Sequence, residues 1–315
     1  MSRIVAIVPS LGGRLPLADA LERLRAELAT ADAELIWVHQ GSAEPPELAG
    51  ARERLVRLSS PAGFARAIHA GLAAAGAHEL TALVNDDLAP EPGWLARLAA
   101  AIDVEPGVAA VQGVNLDAAE PLSADGCGIA WNRWWQAIQI GHGRPAPAAT
   151  LEPFEVFGVS ATAALYRRSA LDAVASAPGR PFDERLGSWY EDVDLAVRLR
   201  AAGWRSLCVP AARARHAGSA TGARRPFDRT RRVTANRWLV VARLLGRSFP
   251  AAAPRIALRD LADLVRAVGR GRGAEALAIV AGWVTALARL GGFARAGRSL
   301  VAGRELARFR VGSGE

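Results

Sequence analysis

The sequence predicts an α/β fold, in which a mixed, mostly parallel sheet is flanked by helices and followed by a C-terminal helical extension. Short, uniformly apolar runs such as 3–9 and 108–114 are typical of strands buried on both faces of a parallel sheet. Segments with helical apolar spacing, such as 63–76, alternate with these runs. After about residue 233 the spacing is helical throughout. We therefore expect one α/β body and one helical tail.

The individual elements follow this alternation along the body. In the first 115 residues we expect strands over 3–9, 33–41, 54–60, 80–87 and 108–114. The helices expected between them cover 15–28, 63–76 and 92–102. Residues 115–155 show little periodicity, which predicts a long functional loop. A strand running into a helix is expected over 159–174, then a helix over 191–203 and a strand over 205–210. Because such sheets bind ligands at the carboxyl ends of their strands, polar residues at those ends are the candidate site residues.

The charge of the chain is divided between two regions. All 39 basic residues are arginine, and with 31 acidic residues they give a net charge of +8. Residues 1–212 hold 18 arginines and 25 acidic residues, a net charge of −7. Residues 213–315 hold 21 arginines and 6 acidic residues, a net charge of +15. The basic region lacks interleaved aromatic residues and known nucleic-acid-binding modules, so we expect no nucleic-acid partner.

Other classes of protein are excluded or disfavoured by simple features. The two cysteines, Cys127 and Cys208, cannot form a disulfide framework and lack metal-ligand spacing, which fits a reducing cytoplasm. No G-x-G-x-x-G follows the first strand, which argues against a nucleotide-cofactor oxidoreductase. The first apolar run is too short for a signal peptide. The 13 apolar residues 276–288 are fewer than the roughly 20 that span a bilayer, so we expect no integral membrane helix.

Asn85, Asp86 and Asp87 end a buried strand shortly before two prolines. Paired carboxylates at the carboxyl end of a parallel strand suit Mg²⁺ or Mn²⁺, which bind one or two carboxylates together with substrate phosphates. The alternative is a solvated turn, because Asn and Asp are ordinary turn residues.

Glu191, Asp192 and Asp194 begin a predicted helix. The helix dipole favours acidic residues in a first turn, and this explains Asp194 without a function. It does not explain why Trp189 and Tyr190 directly precede the acids. Aromatic residues beside paired carboxylates suggest a sugar-binding platform with a general base, and both interpretations stay open at this point.

His216 follows a predicted strand and precedes a segment rich in hydroxyls, glycines and arginines. Ser219 and the backbone amides offer donors, and the guanidiniums of Arg224 and Arg225 are suited to phosphate oxygens. A divalent ion on Asp87 and His216 would hold a diphosphate and stabilise a leaving group. The alternatives are a structural histidine and a solvated basic loop or membrane contact.

Four segments carry a resemblance to a known family: VNDDLAPEPGWL, VSATAALYRRSAL, PFDERLGSWYEDVDLAVRLRAAGW and VPAARARHAGSAT. In their order and residue patterns these segments resemble the family 2 glycosyltransferases, especially the bacterial rhamnosyltransferase-like branch. The resemblance covers roughly residues 3–245. The resemblance implies a Rossmann-like GT-A fold and a metal-dependent, inverting transfer of sugar from a nucleotide-diphosphate sugar to a hydroxyl acceptor. It divides the chain into a nucleotide-binding half at 1–115, an acceptor and catalytic half at 116–245, and a tail at 246–315.

The resemblance also implies roles for individual residues. Asp87, with Asp86 beside it, stands at the metal position, and His216 matches a later histidine that helps to hold metal and diphosphate. Asp192 is the expected base, with Glu191 as its partner or rival. The other expected contacts are Pro9, Ser10 and His39 for the nucleotide, Arg66, Ser219, Arg224 and Arg225 for the donor diphosphate, and Trp189 and Tyr190 for the acceptor.

Two positions depart from the family pattern. Residues 39–42 read His-Gln-Gly-Ser where the family commonly begins with an Asp that meets the base or ribose, and His69 stands where an Asn is usual. We expect a change in base recognition, donor choice or donor affinity. The departure favours an alternative, a catalytically impaired sugar- or nucleotide-binding protein on the same fold, which the retained Asp87, Asp192 and His216 oppose.

The tail mixes Leu, Val, Trp283 and Phe293 with arginine. Helices with an apolar face and an arginine face lie in membrane interfaces, where anionic lipid attracts arginine. The alternative is that these helices pack on the body or on a second subunit, so a homo-oligomer is left open. We expect a cytoplasmic protein, peripheral on the inner face of the cytoplasmic membrane, which agrees with a lipid-linked glycan acceptor in envelope polysaccharide assembly.

Overall fold

A large mixed sheet forms the centre of the body. The computed structural model describes residues 3–12, 19–218, 225–295, 301 and 303–311. The strands are β1 (Ile4–Ser10), β2 (Glu34–His39), β3 (Glu53–Arg57), β4 (Leu80–Val84), β5 (Leu88–Pro90), β6 (Val108–Asp117), β7 (Ser123–Gly126), β8 (Ile129–Trp131), β9 (Ala137–Gln139), β10 (Arg144–Pro145), β11 (Phe154–Val156), β12 (Ala163–Arg167) and β13 (Arg205–His216). The pair β8 and β9 forms a separate small sheet.

Helices cover the sheet and form the C-terminal region. They are α1 (Ala20–Thr30), α2 (Phe64–Ala74), α3 (Trp94–Val104), α4 (Arg168–Ala173), α5 (Glu191–Ala201), α6 (Pro226–Leu245), α7 (Phe249–Gly269), α8 (Gly273–Arg295) and α9 (Gly303–Ala307), with a 3₁₀ turn at Gly246–Ser248. Side chains of α2 pack in one core cluster with the sheet, whereas α1 and α3 pack in another. All seven residues of β1 are buried, as its uniformly apolar sequence predicts.

The strand order brings several carboxyl ends to one edge of the sheet. Strands β3, β2, β1 and β4 are adjacent and parallel, and β12 runs antiparallel between β4 and β6. Strand β13 runs parallel along β6, and its last residues pair antiparallel with β5. The residues that follow β1, β2, β4 and β13 therefore lie at the edge where open α/β sheets bind their ligands.

The segment 115–155 differs from the expected irregular loop. It contains β7 to β10 and most of β11, each only two to four residues long. Strands of this length are too short for a period of two to stand out in the sequence. Trp131 and Trp135 are buried and pack edge to face with ring centroids 6.2 Å apart, so they belong to the core.

The C-terminal helices pack on the body, which was one of the two alternatives for the tail. Helix α8 lies along α6, and a Cβ on Gly282 would come within 2.7 Å of the Thr234 side chain. The end of the chain pairs with β8, since Trp131 N donates to Phe309 O and Val311 N donates to Trp131 O, both at 2.9 Å. The inner sides of the tail helices are thus part of the folded core.

Helix α8 is longer than the apolar run seen in the sequence. Its residues 273–293 have a mean hydropathy of 1.6, so length and composition would allow it to cross a membrane. The expectation that the apolar segment is too short to span a bilayer was therefore wrong, whereas the absence of an integral membrane helix stays a prediction. The reason is that the helix continues through Glu275 and Arg289, which bound the apolar run. One third of the apolar window is buried in the protein.

Candidate active site

Asp87 and His216 meet at the carboxyl edge of the sheet. The antiparallel pairing of β5 with β13 places His216 opposite Leu88, the residue after Asp87. As a result His216 Nε2 lies 3.2 Å from Asp87 Oδ1. Both side chains are buried, and among the described residues these two atoms have no hydrogen-bond partner besides each other. The two residues predicted to hold a metal are therefore adjacent, with these atoms directed at each other.

This pair fits a divalent cation that is shared with a substrate. Octahedral cations such as Mg²⁺ bind oxygen at about 2.1 Å, so adjacent ligands on one ion lie about 3 Å apart. No group of three or more His, Cys, Asp or Glu residues that could hold a metal occurs in the described parts of the chain. The remaining ligands would then come from water and substrate phosphate, as is usual for Mg²⁺ sites.

Asp125 of β7 is a site residue that the sequence did not reveal. Its carboxylate accepts a hydrogen bond from His216 Nδ1 at 2.8 Å, which turns Nε2 towards Asp87. Burial lowers the pKa of His216, but the carboxylates of Asp125 and Asp87 outweigh it and raise this pKa to about 9. A carboxylate on the far nitrogen is the common way of orienting a metal-binding histidine.

Ser10, His39 and Asp86 come together on the predicted nucleotide side. Ser10 and His39 are paired in register at the ends of β1 and β2. Ser10 Oγ donates to Asp86 Oδ2 at 2.5 Å and accepts from Gly12 N at 2.9 Å. His39 is buried, and its Nδ1 has no partner among the described residues. Pro9 precedes Ser10 in the same strand, so the four residues form one cluster.

Glu191 and Asp192 begin α5 directly after a strained turn. Trp189 and Tyr190 have φ values of 65° and 71°, and Gly187 has a φ of 76°. Left-handed backbone at residues other than glycine costs about 1–3 kcal/mol each and persists only where the surroundings impose it. The direction in which the two acids leave the turn is therefore fixed by the fold.

Asn236 of α6 holds this turn in place. Its buried amide Nδ2 donates to the carbonyl oxygens of Leu186 at 3.0 Å, Ser188 at 3.2 Å and Trp189 at 2.8 Å. No sequence pattern indicates this role, because Asn236 lies on a separate helix about 50 residues away and belongs to no local motif.

The two acids have different surroundings. Glu191 is 8% exposed, and burial, followed by the charge of Asp192, raises its pKa to about 8. Burial also raises the pKa of Asp192, but the backbone N–H groups of Val193 and Ala161 act against this rise. Val193 N donates to Asp192 Oδ1 at 2.8 Å. Near neutral pH Glu191 thus keeps its proton, and Asp192 is the better candidate for an ionised carboxylate.

The acids lie at the same edge of the sheet as the metal residues. Asp192 accepts a hydrogen bond from the backbone of Ala161, in the loop before β12. The next residue, Thr162, accepts a hydrogen bond through its carbonyl oxygen from Asn85 N at 2.8 Å. Asn85 directly precedes the two aspartates after β4. One short chain of contacts therefore connects the start of α5 with the turn that carries Asp87.

The two aromatic residues predicted to face an acceptor differ in exposure. Tyr190 is buried, and its hydroxyl accepts a hydrogen bond from Ala137 N at 3.2 Å. Its ring is packed in the core, which does not fit the predicted contact with an acceptor. Trp189 is partly exposed and remains accessible from the solvent.

Arg66 and His69 both contact Glu184, in the segment that leads to the strained turn. Arg66 is largely exposed, and its Nε donates to Glu184 Oε2 at 2.9 Å. His69 Nδ1 lies 2.9 Å from Glu184 Oε1, while its Nε2 accepts from Phe182 N at 3.3 Å. The histidine at this unusual position therefore links α2 to the catalytic side of the site.

Part of the predicted diphosphate contact lies outside the described residues, namely Ser219 and Arg224. Arg225 is exposed and directly precedes α6. Farther along this helix, the positive charge of Arg232 acts to lower the pKa of Glu191. The start of α6 is thus close to the two acids.

Comparison with known proteins shows the family and the fold of this chain. The family model described as "Glycosyltransferase like family 2" matches residues 47–247, almost two thirds of the chain. A curated relative is N-acetylglucosaminyl-diphospho-decaprenol L-rhamnosyltransferase of Mycobacterium tuberculosis (strain CDC 1551 / Oshkosh). It is 46% identical over 68 residues, which are 21% of this chain and 20% of the relative. The match therefore spans only a fifth of the relative's length.

Two solved glycosyltransferase structures share the fold. The mannosyltransferase PcManGT from Pyrobaculum calidifontis, in complex with GDP-Man and Mn²⁺, has a TM-score of 0.52 and 17% identity, with 90% of this chain and 87% of that chain covered. GalNAc-T7 with UDP, GalNAc and Mn²⁺ has a TM-score of 0.57 and 13% identity, and the match covers 78% of this chain and 48% of that chain. The predicted GT-A fold is confirmed, and the chain belongs to glycosyltransferase family 2.

Proposed function

We propose that this glycosyltransferase moves a sugar, with inversion, from a nucleotide-diphosphate sugar to a hydroxyl acceptor and depends on Mg²⁺ or Mn²⁺. The observation that carries the proposal is the buried contact between Asp87 Oδ1 and His216 Nε2, which have no other partner among the described residues, at the same sheet edge as Asp192. The two related structures that contain a nucleotide or nucleotide-sugar together with Mn²⁺ support it.

The residues of the chain supply the proton transfer and the positioning. Asp192 accepts the proton of the acceptor hydroxyl. At the same time the oxygen of that hydroxyl forms a bond to the anomeric carbon of the donor sugar. The bond from that carbon to the diphosphate breaks, and the nucleoside diphosphate leaves with the electron pair. Glu191 stays protonated and does not compete as base. A divalent ion held by Asp87 and His216 would stabilise the negative charge of the leaving group.

The donors we propose are dTDP-rhamnose and UDP-sugars. The partial match to an L-rhamnosyltransferase supports the first of these. Ser10, His39 and Asp86 form the nucleotide side, with Arg66, Ser219, Arg224 and Arg225 as the proposed diphosphate contacts. His39 offers an imidazole where the family commonly has a carboxylate. We therefore propose that the base is recognised differently from the usual family pattern.

The proposed acceptor is a lipid-linked glycan in envelope polysaccharide biosynthesis. The name of the relative includes a diphospho-decaprenol acceptor, and this supports the choice. Trp189 is the proposed acceptor contact. In the proposed division, residues 1–245 carry the chemistry, and the arginine-rich tail 246–315 holds the protein on the cytoplasmic face of the membrane.

Binding of a panel of nucleotide-sugars, measured by calorimetry with and without Mn²⁺, tests the proposal. We expect one donor to bind with an affinity that rises on addition of Mn²⁺ and falls on substitution of Asp87 by Asn. The replacement at His39 favours a second candidate, a sugar-binding protein without turnover. Metal-independent binding of a sugar, without turnover of any donor, would support that candidate instead.

A further inference from the structure

Helices α7 and α8 expose two stripes of aliphatic side chains. The residues are Leu258, Leu261, Val265 and Val268 on α7, and Leu277, Val280, Val284 and Leu287 on α8. They are between 39% and 69% exposed, and in both helices their spacing of three, four and three residues makes one stripe. We call these eight residues the aliphatic face. Exposed apolar patches of this extent mark interaction surfaces rather than ordinary protein surface.

A groove joins the two stripes into one surface. It encloses about 580 Å³ between α7 and α8, and Leu258, Leu261 and Leu287 are among its lining residues. Trp238 and Trp283 also line it, and their indole N–H groups donate to Asp260 at 2.8 Å and 2.9 Å. Because these donors are already satisfied, the tryptophans present ring carbons to the groove.

Contacts within the protein argue against α8 crossing a bilayer. The side of α8 opposite its stripe is packed against the protein, with Ala278, Ile279 and Ala286 buried. Asp260 of α7 is buried and also pairs with Arg237 of α6. A spanning α8 would have to leave α6, expose the buried side chains on its inner side and break the hydrogen bond of Trp283 to Asp260.

The charge beside the aliphatic face favours an anionic partner. Residues 246–315 carry twelve arginines and five acidic residues, a net charge of +7. Arg255, Arg259 and Arg266 of α7 and the C-cap residue Arg270 form a second stripe, about 130° around the helix from the first. Among the described residues, Arg255 and Arg270 form no ion pair, whereas the other two share Asp263. A second copy of this chain would bring the same positive stripe and be repelled.

We propose that the aliphatic face is the surface on which this protein docks to an anionic lipid bilayer. The Leu and Val side chains enter the acyl boundary, and the arginine stripe contacts lipid phosphates. On its packed side, α8 reaches the segment before the strained turn, since Arg289 donates to Arg185 O at 3.1 Å, six residues before Glu191. The inference rests on the membrane location in the proposed function but not on its chemistry.

Sedimentation of the full chain with vesicles tests the surface, using phosphatidylcholine with roughly one third phosphatidylglycerol. The test variant is L261E/V284E, and the matched control V104E/L122E changes the charge equally at exposed sites on other elements. We expect the wild type and the control to bind alike. The test variant should bind at least tenfold more weakly, since each buried aliphatic side chain contributes more than this factor. Circular dichroism checks that both variants fold.

A second variant tests the arginine stripe. R255Q/R270Q should weaken binding to the anionic vesicles by about 25-fold, at about 1 kcal/mol for each arginine, and leave binding to pure phosphatidylcholine unchanged. If L261E/V284E and V104E/L122E lose vesicle binding equally, or if the wild type does not bind vesicles, the proposed docking surface is wrong. Self-association in solution that L261E/V284E abolishes would overturn it too, in favour of a second copy.

Donor hydrolysis in solution, measured on the same variants, separates this inference from the proposed function. We expect L261E/V284E to hydrolyse donor at the wild-type rate. If no donor is hydrolysed while the vesicle results are as expected, the proposed function fails and the docking surface stands.

Discussion

At the scale of single residues, two neighbouring carboxyl groups differ in how they are enclosed, and this separates their roles. Asp192 accepts backbone hydrogen bonds and is partly exposed, whereas Glu191 is enclosed and keeps its proton. We predict that Asp192→Asn keeps donor affinity within about twofold and lowers the transfer rate by about 10²–10⁴-fold, the usual contribution of a general base. Calorimetry and a transfer assay measure the two effects. Normal transfer by this variant would show that Asp192 is not the base.

The protonation of Glu191 makes a prediction about stability and pH. Its pKa is about 8 in the folded chain and lies near 4.5 for an ordinary Glu, so the folded state binds more protons between these values. Its contribution to stability is therefore fully present below about pH 4.5 and is lost as the pH rises through about 8. Relative to Glu191→Gln, the wild type should lose a few kcal/mol of unfolding free energy between about pH 5 and pH 9. Urea unfolding at both pH values measures this, and parallel behaviour of the two proteins would contradict it.

Asp125 is predicted to act through His216. Asp125→Asn should weaken the Mn²⁺-dependent part of donor binding by about 10–100-fold, the usual effect of losing the carboxylate behind a metal-binding histidine. Asp117→Asn is the matched control. Asp117 pairs with His216 through the backbone, but its carboxylate accepts from Ala119 N at 2.8 Å. If the two variants bind donor equally well with Mn²⁺, Asp125 does not position the histidine.

At the scale of elements, the site depends on α6 being fixed against its neighbours. Asn236 of this helix holds the strained turn before the acids, and Arg243 of the same helix pairs with Asp183 and Asp194. Asp194, which the helix dipole alone would explain, is fully buried in this network. Helix α6 thus connects the tail with the strained turn before Glu191.

Packing of α8 on α6 gives a prediction at this scale. A Cβ on Gly282 would lie 2.7 Å from the Thr234 side chain and 2.8 Å from the carbonyl oxygen of Arg231. Gly282→Ala should therefore destabilise the protein by about 1–3 kcal/mol, as overpacking usually does. Gly291→Ala in the same helix meets no atom within 4 Å and should gain up to about 1 kcal/mol from helix propensity. Denaturant midpoints compare the two, and equal stability of both variants would refute this packing.

At the scale of the whole molecule, the sequence allowed prediction of residues at the ends of strands. It did not allow prediction of residues whose role depends on contacts between elements far apart in the chain. Asp87 and His216 were predicted to lie together because the carboxyl ends of strands converge at one edge, and the structure places them in contact, whereas Ser10 was named only through the resemblance to the family. Asp125 and Asn236 were missed, because one acts through a four-residue strand and the other through a helix far away in sequence. The tail was predicted as amphipathic, but its packing on α6 requires the tertiary structure.

The division of charge has a physical meaning for the whole molecule. The acidic body carries the carboxylates that we propose for metal and base, and the basic excess lies after residue 212. In our account that excess serves two anionic partners, the donor diphosphate and the lipid surface. Neither use requires nucleic acid.

The central claim is that Asp87 and His216 hold a divalent ion on the donor while Asp192 removes a proton from the acceptor. Its most direct test is the release of nucleoside diphosphate from the donor that binds, measured with Mn²⁺ and with chelator. We predict release with Mn²⁺, loss of release with chelator, and the same loss in Asp87→Asn. Equal release with and without metal, or unchanged release in Asp87→Asn, would contradict the account.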